Sequence, residues 1–225
     1  MDKDDWADEL AKLSRILTSC EIDHFLDSGT LLGAVRENDF IAWDNDIDIG
    51  ALIDDPLNLK IRSFISRCVQ EKYSVTETKT SVIIKKQNKN ICVSITKYRR
   101  KANFYISEFQ INDESSWYLR KIEAYASGVC FHDGPNFADK IKKYISKSNH
   151  ILKILASVLN TGKKIKTKII KIPAQYFEEN SSMEFRGWTY AVPKNFEEYL
   201  EYRYGQDWRV PRGNWNYFED DGGTE

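Results

Sequence analysis

His24-Phe25-Leu26-Asp27-Ser28-Gly29-Thr30-Leu31-Leu32-Gly33-Ala34-Val35-Arg36, followed within a few residues by Trp43-Asp44-Asn45-Asp46-Ile47-Asp48-Ile49-Gly50, decides how this chain is read. The first run has the pattern of a strand, a glycine turn and a short helix. The second follows a loop and reads as another strand carrying Asp44, Asp46 and Asp48 at spacing two, with its regular part over Asp46–Leu52. Side chains two apart on a strand share one face, with backbones about 6.6 Å apart. Carboxylates so placed can lean onto one cation, and Mg2+ favours carboxylate and water oxygens while also holding substrate phosphates. Gly29 lets the first turn come close to a phosphate. The segment therefore points to metal-assisted phosphoryl or nucleotidyl transfer. Alternating Asp and Ile also fits an ordinary half-exposed strand, polar out and apolar in. Two features weigh against that. Aspartates on one face repel, each close pair by about 4 kcal/mol at 4 Å and an effective dielectric near 20, and a strand built for solubility would mix in lysine. The glycine turn and Arg36 just upstream also supply a phosphate-facing partner for a metal.

Composition bounds the rest. At 225 residues the chain fits one domain with an elaborated end: a catalytic core over 1–112 and a C-terminal elaboration over 113–225 packed on it. A net charge of −1 gives no global field for nucleic acid. Cys20, Cys68, Cys92 and Cys130 are far apart and read as free thiols of a reducing compartment. The acidic start Met1-Asp2-Lys3-Asp4-Asp5 has no secretion-signal pattern, and no apolar run approaches the about 20 residues of a membrane span. The expected location is cytoplasmic.

Periodicity outlines the elements. Trp6, Leu10, Leu13, Ile16 and Leu17 make one apolar stripe of a helix over Asp4–Cys20. A strand over His24–Asp27 leads to a helix ending at Arg36, with Thr30 or Ser28 as its cap. Pro56 opens a helix running to about Glu71. Extended segments follow over Tyr73–Thr78, Ser81–Lys86, Ile91–Tyr98 and Phe104–Ile111, with a turn at Gln87–Asn90. Trp117–Val129 is readable either as helix or strand, and Asp139–Asn160 reads as helix. Phe196–Tyr204 reads as a short helix with Gly205 as its C-terminal cap. The chain from Arg212 onward is expected to fray. The fold class is α+β, a mixed sheet backed by helices with a mainly helical C-terminal extension.

Gly29-Thr30-Leu31-Leu32-Gly33-Ala34-Val35-Arg36 and Phe40-Ile41-Ala42-Trp43-Asp44-Asn45-Asp46-Ile47-Asp48-Ile49-Gly50 closely resemble the LicD/fukutin family of phosphotransferases. Val192-Pro193-Lys194-Asn195, Tyr199-Leu200, Tyr204-Gly205 and Asp207-Trp208 resemble that family's C-terminal signature, so the likeness frames residues 20 to 211. The resemblance implies a nucleotidyltransferase-like fold, a divalent cofactor (Mg2+ or Mn2+), a cytidine-diphosphate (CDP)-activated donor such as CDP-choline, and transfer of its phospho-alcohol to a hydroxyl of a cell-surface glycan or its lipid-linked precursor. By position, Asp46 and Asp48 match the metal carboxylates and Asp44 an extra acidic residue. Gly29 and Thr30 match the phosphate turn, with Ser28 beside them, and Arg36 matches the basic residue after it. The chain departs from the family at Ile91-Cys92-Val93-Ser94-Ile95-Thr96, where Ser94 stands at an expected aspartate. Four alternatives stay open. The correspondence is off by a strand, the metal is held by Asp44, Asp46 and Asp48 alone, Glu108, Glu123 or Asp133 substitutes, or the site is weakened.

Other constellations are weighed beside this one. Lys140–Lys171 holds ten lysines and no acidic residue. It suits either a solvated helix face or a peripheral contact with an acidic inner-membrane surface carrying a lipid-linked acceptor. Trp43 is placed equally in the core or stacked on a base at the site. Tyr204, Gly205 and Trp208 are read as packing, Lys194 and Asn195 at the site edge, and His24 as structural. Asp44 is the candidate general base. The rival functions are a nucleotidyltransferase and a non-catalytic nucleotide- or glycan-binding protein, the latter supported by Ser94.

Overall fold

The apolar stripe of the N-terminal segment becomes helix α1 (Lys3–Ser19), with Trp6, Leu10, Leu13 and Leu17 buried. In the computed structural model the described residues are 3–55, 57–86, 91–112, 165–213 and 215–225. The segments Gln87–Asn90, Trp117–Val129, Asp139–Asn160 and most of Lys140–Lys171 lie outside them. The chain divides into two units, one of residues 1–109 with 168–225 and one of 110–167. Every residue of the site described below belongs to the first.

After α1 come β1 (Asp23–Leu26), α2 (Ser28–Arg36), β2 (Ile47–Leu52) and α3 (Leu59–Gln70). Then follow β3 (Tyr73–Glu77), β4 (Ser81–Lys86), β5 (Cys92–Lys101), β6 (Phe104–Asn112) and β7 (Ile165–Pro173). The hairpin β8 (Asn180–Phe185) and β9 (Trp188–Pro193) precedes the last helix, α4 (Phe196–Tyr204). A seven-stranded sheet has the order β1-β2-β5-β4-β3, with β6 paired to β5 and β7. β2 and β5 run parallel, whereas β1–β2, β3–β4, β4–β5 and β5–β6 are antiparallel. The chain is thus α+β with a mixed sheet backed by helices. Ile47, Ile49 and Ala51 of β2 and Val93 and Ile95 of β5 alternate into the core, the period-two signature of a strand.

Several local expectations are corrected. The α2 cap is Asp27, whose carboxylate accepts the Ser28 N–H at 2.7 Å; neither Ser28 nor Thr30 caps it. The second strand begins at Ile47, so of the three aspartates only Asp48 lies on it. Residues 41–46 form a turn in which the Asp44 N–H donates to the Ile41 carbonyl and the Asp44 carboxylate accepts the Asn45 N–H. Helix α3 starts at Leu59, not Pro56. The Asp55 carboxylate accepts the N–H groups of Leu57, Leu59 and Lys60 and turns the chain through a left-handed Asn58 first. The β8–β9 hairpin was not foreseen.

The largest correction concerns the tail. From Arg212 onward the chain was expected to fray, yet the Gly222 N–H donates to the Arg203 carbonyl (2.9 Å), the Lys171 N–H to the Gly223 carbonyl (2.8 Å), and Ile169 and Glu225 exchange backbone bonds (3.1 and 2.8 Å). Asp221 is the anchor. Its carboxylate lies 2.6 Å from Arg203 Nε, and both side chains are almost fully buried. The same guanidinium reaches Asp27 at 3.1 Å. Tyr98 and Tyr199 complete the cluster, donating to Asp27 at 2.8 and 2.6 Å. Arg203 is enclosed at 0% exposure, a burial that is tolerable only because two carboxylates and two hydroxyls surround it.

Arg203→Ala strands two buried carboxylates and is expected to lower unfolding free energy by about 3–5 kcal/mol. Arg209→Ala breaks the exposed pair with Glu197 and the contact of its guanidinium with the Trp208 ring at 4.0 Å, and should cost no more than about 1 kcal/mol. Urea denaturation monitored by tryptophan fluorescence measures both.

Candidate active site at the glycine turn

The site grows from the join between β1 and α2. Asp27 is extended (φ −129°) and Ser28 sits at φ +44°, a left-handed conformation that is uncommon for a residue with a side chain. Ser28 is held there by the Asp27 cap on its N–H and by Arg203, whose Nη2 lies 3.4 Å from the Ser28 hydroxyl. This sharp entry aims the next two residues at β2. The Gly29 N–H donates to Asp48 Oδ2 at 3.0 Å, and the Thr30 hydroxyl accepts the Asp48 N–H at 2.8 Å. Those groups fix Asp48.

Gly29 has a second function. A Cβ at this position would lie 2.2 Å from Asp44 Oδ2 and 3.2 Å from Asp48 Oδ2. The missing side chain is the space into which both carboxylates turn. Although Asp44 comes from the loop and Asp48 from the strand, the turn at 41–46 brings them together over the glycine. Burial, then the negative charge of Asp46, Asp44 and Asp27, pushes the Asp48 carboxyl well above the ordinary carboxylate range, against the pull of the Gly29 N–H. Burial also raises Asp44, against hydrogen bonds from Asn45 and Asp46.

A cavity of about 420 Å³ opens over these groups, and Ser28, Gly29, Asp44, Asp46 and Asp48 line its acidic side. Ser94 lies beside Asp48 in the parallel β2–β5 register, with Thr96 beside Gly50, and both line the cavity. The strand position next to Asp48 therefore holds a hydroxyl. Glu108 pairs with Lys79 at 2.7 Å and is not among the cavity residues, while Glu123 and Asp133 lie outside the described residues. Arg36 lines the cavity with its side chain largely buried. Its Nη2 binds Glu37 at 2.7 Å and its Nη1 approaches the Trp208 carbonyl at 3.4 Å. Trp43 also lines the cavity and is half exposed, so it is not a core residue.

The C-terminal assignments reverse. Tyr204 and Trp208, read as packing, line the cavity, as do Trp215, Tyr217 and Phe218 of the tail. Lys194 instead pairs with Glu179 and does not line it. Arg99 reaches Asn58, also away from the cavity. His24, bonded to Ser14 and to the Ile22 carbonyl, has its basicity lowered by burial and is structural. Cys20, Cys68 and Cys92 are buried. Sequence reading missed Arg203 and Asp221. The available signal was a lone arginine four residues after Tyr199 on the apolar face of α4, where burial demands an anion.

The model of the LicD/FKTN/FKRP family nucleotidyltransferase domain matches residues 21–133, half of the chain, and includes the glycine turn and all three aspartates. The chain belongs to the LicD family. The uncharacterized protein RP689 of Rickettsia prowazekii (strain Madrid E) is 30% identical over 99 residues, covering 44% of this chain and 35% of that protein. The uncharacterized protein RT0683 of Rickettsia typhi (strain ATCC VR-144 / Wilmington) is 35% identical over 68 residues, covering 30% of this chain and 21% of that protein. The chain thus matches about a third or less of either relative's length. The crystal structure of ANT(2")-Ia in complex with adenylyl-2"-tobramycin aligns at a TM-score of 0.34 and 12% identity, covering 68% of this chain and 95% of that one. Among the described residues no helix of the LicD-family chain is long and apolar enough to cross a membrane.

The raised Asp48 carboxyl makes a signed prediction. The folded state binds this proton more tightly than the unfolded chain does. The stability it contributes is full below the ordinary value of 3.8 and is lost as pH rises through the raised folded value. Without divalent metal, Asp48→Asn should melt higher than the parent at neutral pH, and the difference should shrink as pH falls towards 4. Thermal melts across that range, recorded in chelator, test it.

Proposed function

We propose that this LicD-family chain is a metal-dependent phosphotransferase that moves a phospho-alcohol, such as phosphocholine, from a CDP-activated donor to a hydroxyl of a glycan or its lipid-linked precursor. The observation that carries the reading is the convergence of Asp44 and Asp48 on the space left by Gly29. Two features fit these residues to a divalent cation. The donor set is all oxygen, which suits Mg2+ or Mn2+, and a carboxylate whose charge is disfavoured by its anionic neighbours gains most from one. Among the described residues no three His, Cys, Asp or Glu side chains are gathered tightly enough to hold a metal by themselves. That suits an ion held by one or two carboxylates and completed by substrate phosphates.

Asp46 and Asp48 would be the metal residues. A bound ion would neutralise charge developing on the donor diphosphate. The chain's own groups have distinct tasks. Gly29 and Thr30 lock Asp48 in place. Arg36, at the cavity, orients phosphate oxygens. Asp44, with its proton affinity raised by burial, is matched to take the proton of the acceptor hydroxyl as it attacks in line. Ser94 contributes a neutral hydroxyl where a third carboxylate is expected, and it is the one observation that favours a weaker or purely binding site.

Incubating the chain with CDP-alcohols and Mg2+ and following release of cytidine monophosphate tests the proposal. Loss of a metal contact worth several kcal/mol in the transition state should slow Asp48→Asn by about 100-fold or more, with the fold retained. Release of the phospho-alcohol together with a cytidylylated acceptor would point instead to nucleotidyl transfer. Nucleotide binding without turnover would point to a binding protein.

A further inference from the structure

We propose that the C-terminal tail supplies the face of the site on which the donor's nucleobase stacks, with Trp215 and Phe218 as its specificity-determining residues. The inference rests on the phosphotransfer reading and adds an assignment to it. The cavity is two-sided in chemistry. Its acidic side can accept an anionic ligand only through a cation, whereas the opposing character comes from Tyr204, Trp208, Trp215, Tyr217 and Phe218. A nucleoside diphosphate matches both sides in one molecule, a diphosphate for a metal and a flat π-ring for aromatic faces.

The aromatic side is preorganised. Trp215 packs on Tyr204 with ring centres 4.7 Å apart, and Phe109 meets Phe218 edge-on at 5.4 Å. The Phe218 carbonyl accepts the Lys168 ammonium at 2.8 Å, and three residues later Asp221 is clamped by Arg203. Immobilised rings lose little freedom on binding, which is what a stacking platform requires.

Two buried donors also stand at the cavity wall. The Trp215 indole Nε1 and the Arg36 Nε are buried N–H donors with no acceptor among the described residues, and both residues line the cavity. Buried donors are normally satisfied; the Trp215 N–H lies in its own ring plane, so a base stacked on the ring leaves this donor aside, and it is the ring faces that take the base. An alcohol group or a sugar could also touch the rings, and the test separates these from a base.

Binding of Mg2+ with CDP and of Mg2+ with inorganic pyrophosphate is measured by calorimetry on the full chain and on Trp215→Ala, Trp215→Phe and Phe218→Ala. Each alanine variant should weaken CDP by about tenfold or more and leave pyrophosphate within about twofold. Trp215→Phe, which keeps a smaller aromatic face, should fall between the parent and Trp215→Ala. Unchanged CDP affinity in both alanine variants, or a parallel loss of pyrophosphate, overturns the proposal. A parent chain that binds pyrophosphate with Mg2+ but gains nothing from the cytidine overturns it while sparing the metal site. A parent that binds neither overturns the phosphotransfer reading and this one together.

Discussion

One guanidinium organises this molecule. Arg203 is enclosed at 0% exposure and bonded to Asp27 at the head of α2 and to Asp221 in the tail. Taking such a charge out of water costs several kcal/mol, recovered only with good geometry and additional hydrogen bonds. Here Tyr98 and Tyr199 supply them. Their own hydroxyls are held protonated chiefly by burial, so they remain donors to Asp27. The cluster hinges on its charges, since removing Arg203 takes the cation from both Asp27 and Asp221, and removing Asp27 takes the acceptor from both tyrosines. Its consequence is spatial. Asp27 sets the strained entry to the glycine turn, and Asp221 pins the tail whose aromatic rings face the same cavity. Residues more than a hundred apart in sequence are thereby held at the two sides of one site.

The acidic side works against the fold that carries it. Asp48 is inward-facing, beside a glycine and under the charge of Asp44 and Asp46, and its raised proton affinity is the signature of that conflict. Proteins tolerate such local destabilisation where a site needs it and offset it elsewhere. The offset is visible. The Gly29 N–H and Thr30 hydroxyl hold Asp48, and the hydrophobic layer of Ile47, Ile49, Val93 and Ile95 lies directly behind. A side chain at residue 29 would abolish the convergence, so the glycine is explained by the carboxylates and not by backbone freedom.

Much of this was legible in the sequence, for identifiable reasons. Strong periodicity located α1, β4 and α4, and a left-handed Gly205 (φ +84°) closes α4 as expected. Grouping Asp44, Asp46 and Asp48 needed only their spacing. Their placement needed more, because whether the strand begins at residue 46 or 47 is decided by pairing with β1 and β5, not by the local pattern. The helix caps failed for a related reason, since any of Asp27, Ser28 and Thr30 is a competent cap and tertiary bonds chose among them. The tail looked disordered because it is polar and glycine-rich. What orders it is one carboxylate, Asp221, finding an arginine eighteen residues away. Compositional reading averages such a residue away.

The hydroxyl at Ser94 gives the site its particular character. In the parallel register it is the nearest β5 neighbour of Asp48, so a carboxylate there would have stood beside Asp48 and added repulsion to a residue already pushed towards its neutral form. A serine relieves that repulsion and adds a neutral donor and acceptor. The same exchange lowers the negative charge available to a cation. An ion held by fewer protein oxygens depends more on the phosphates that arrive with it, which ties metal occupancy to donor occupancy. On that logic the aromatic side and the acidic side are interdependent. In the proposed reaction, whatever fixes the donor's far end would also fix the diphosphate that completes a metal's shell, and Arg203 joins the two sides through Asp27 and Asp221.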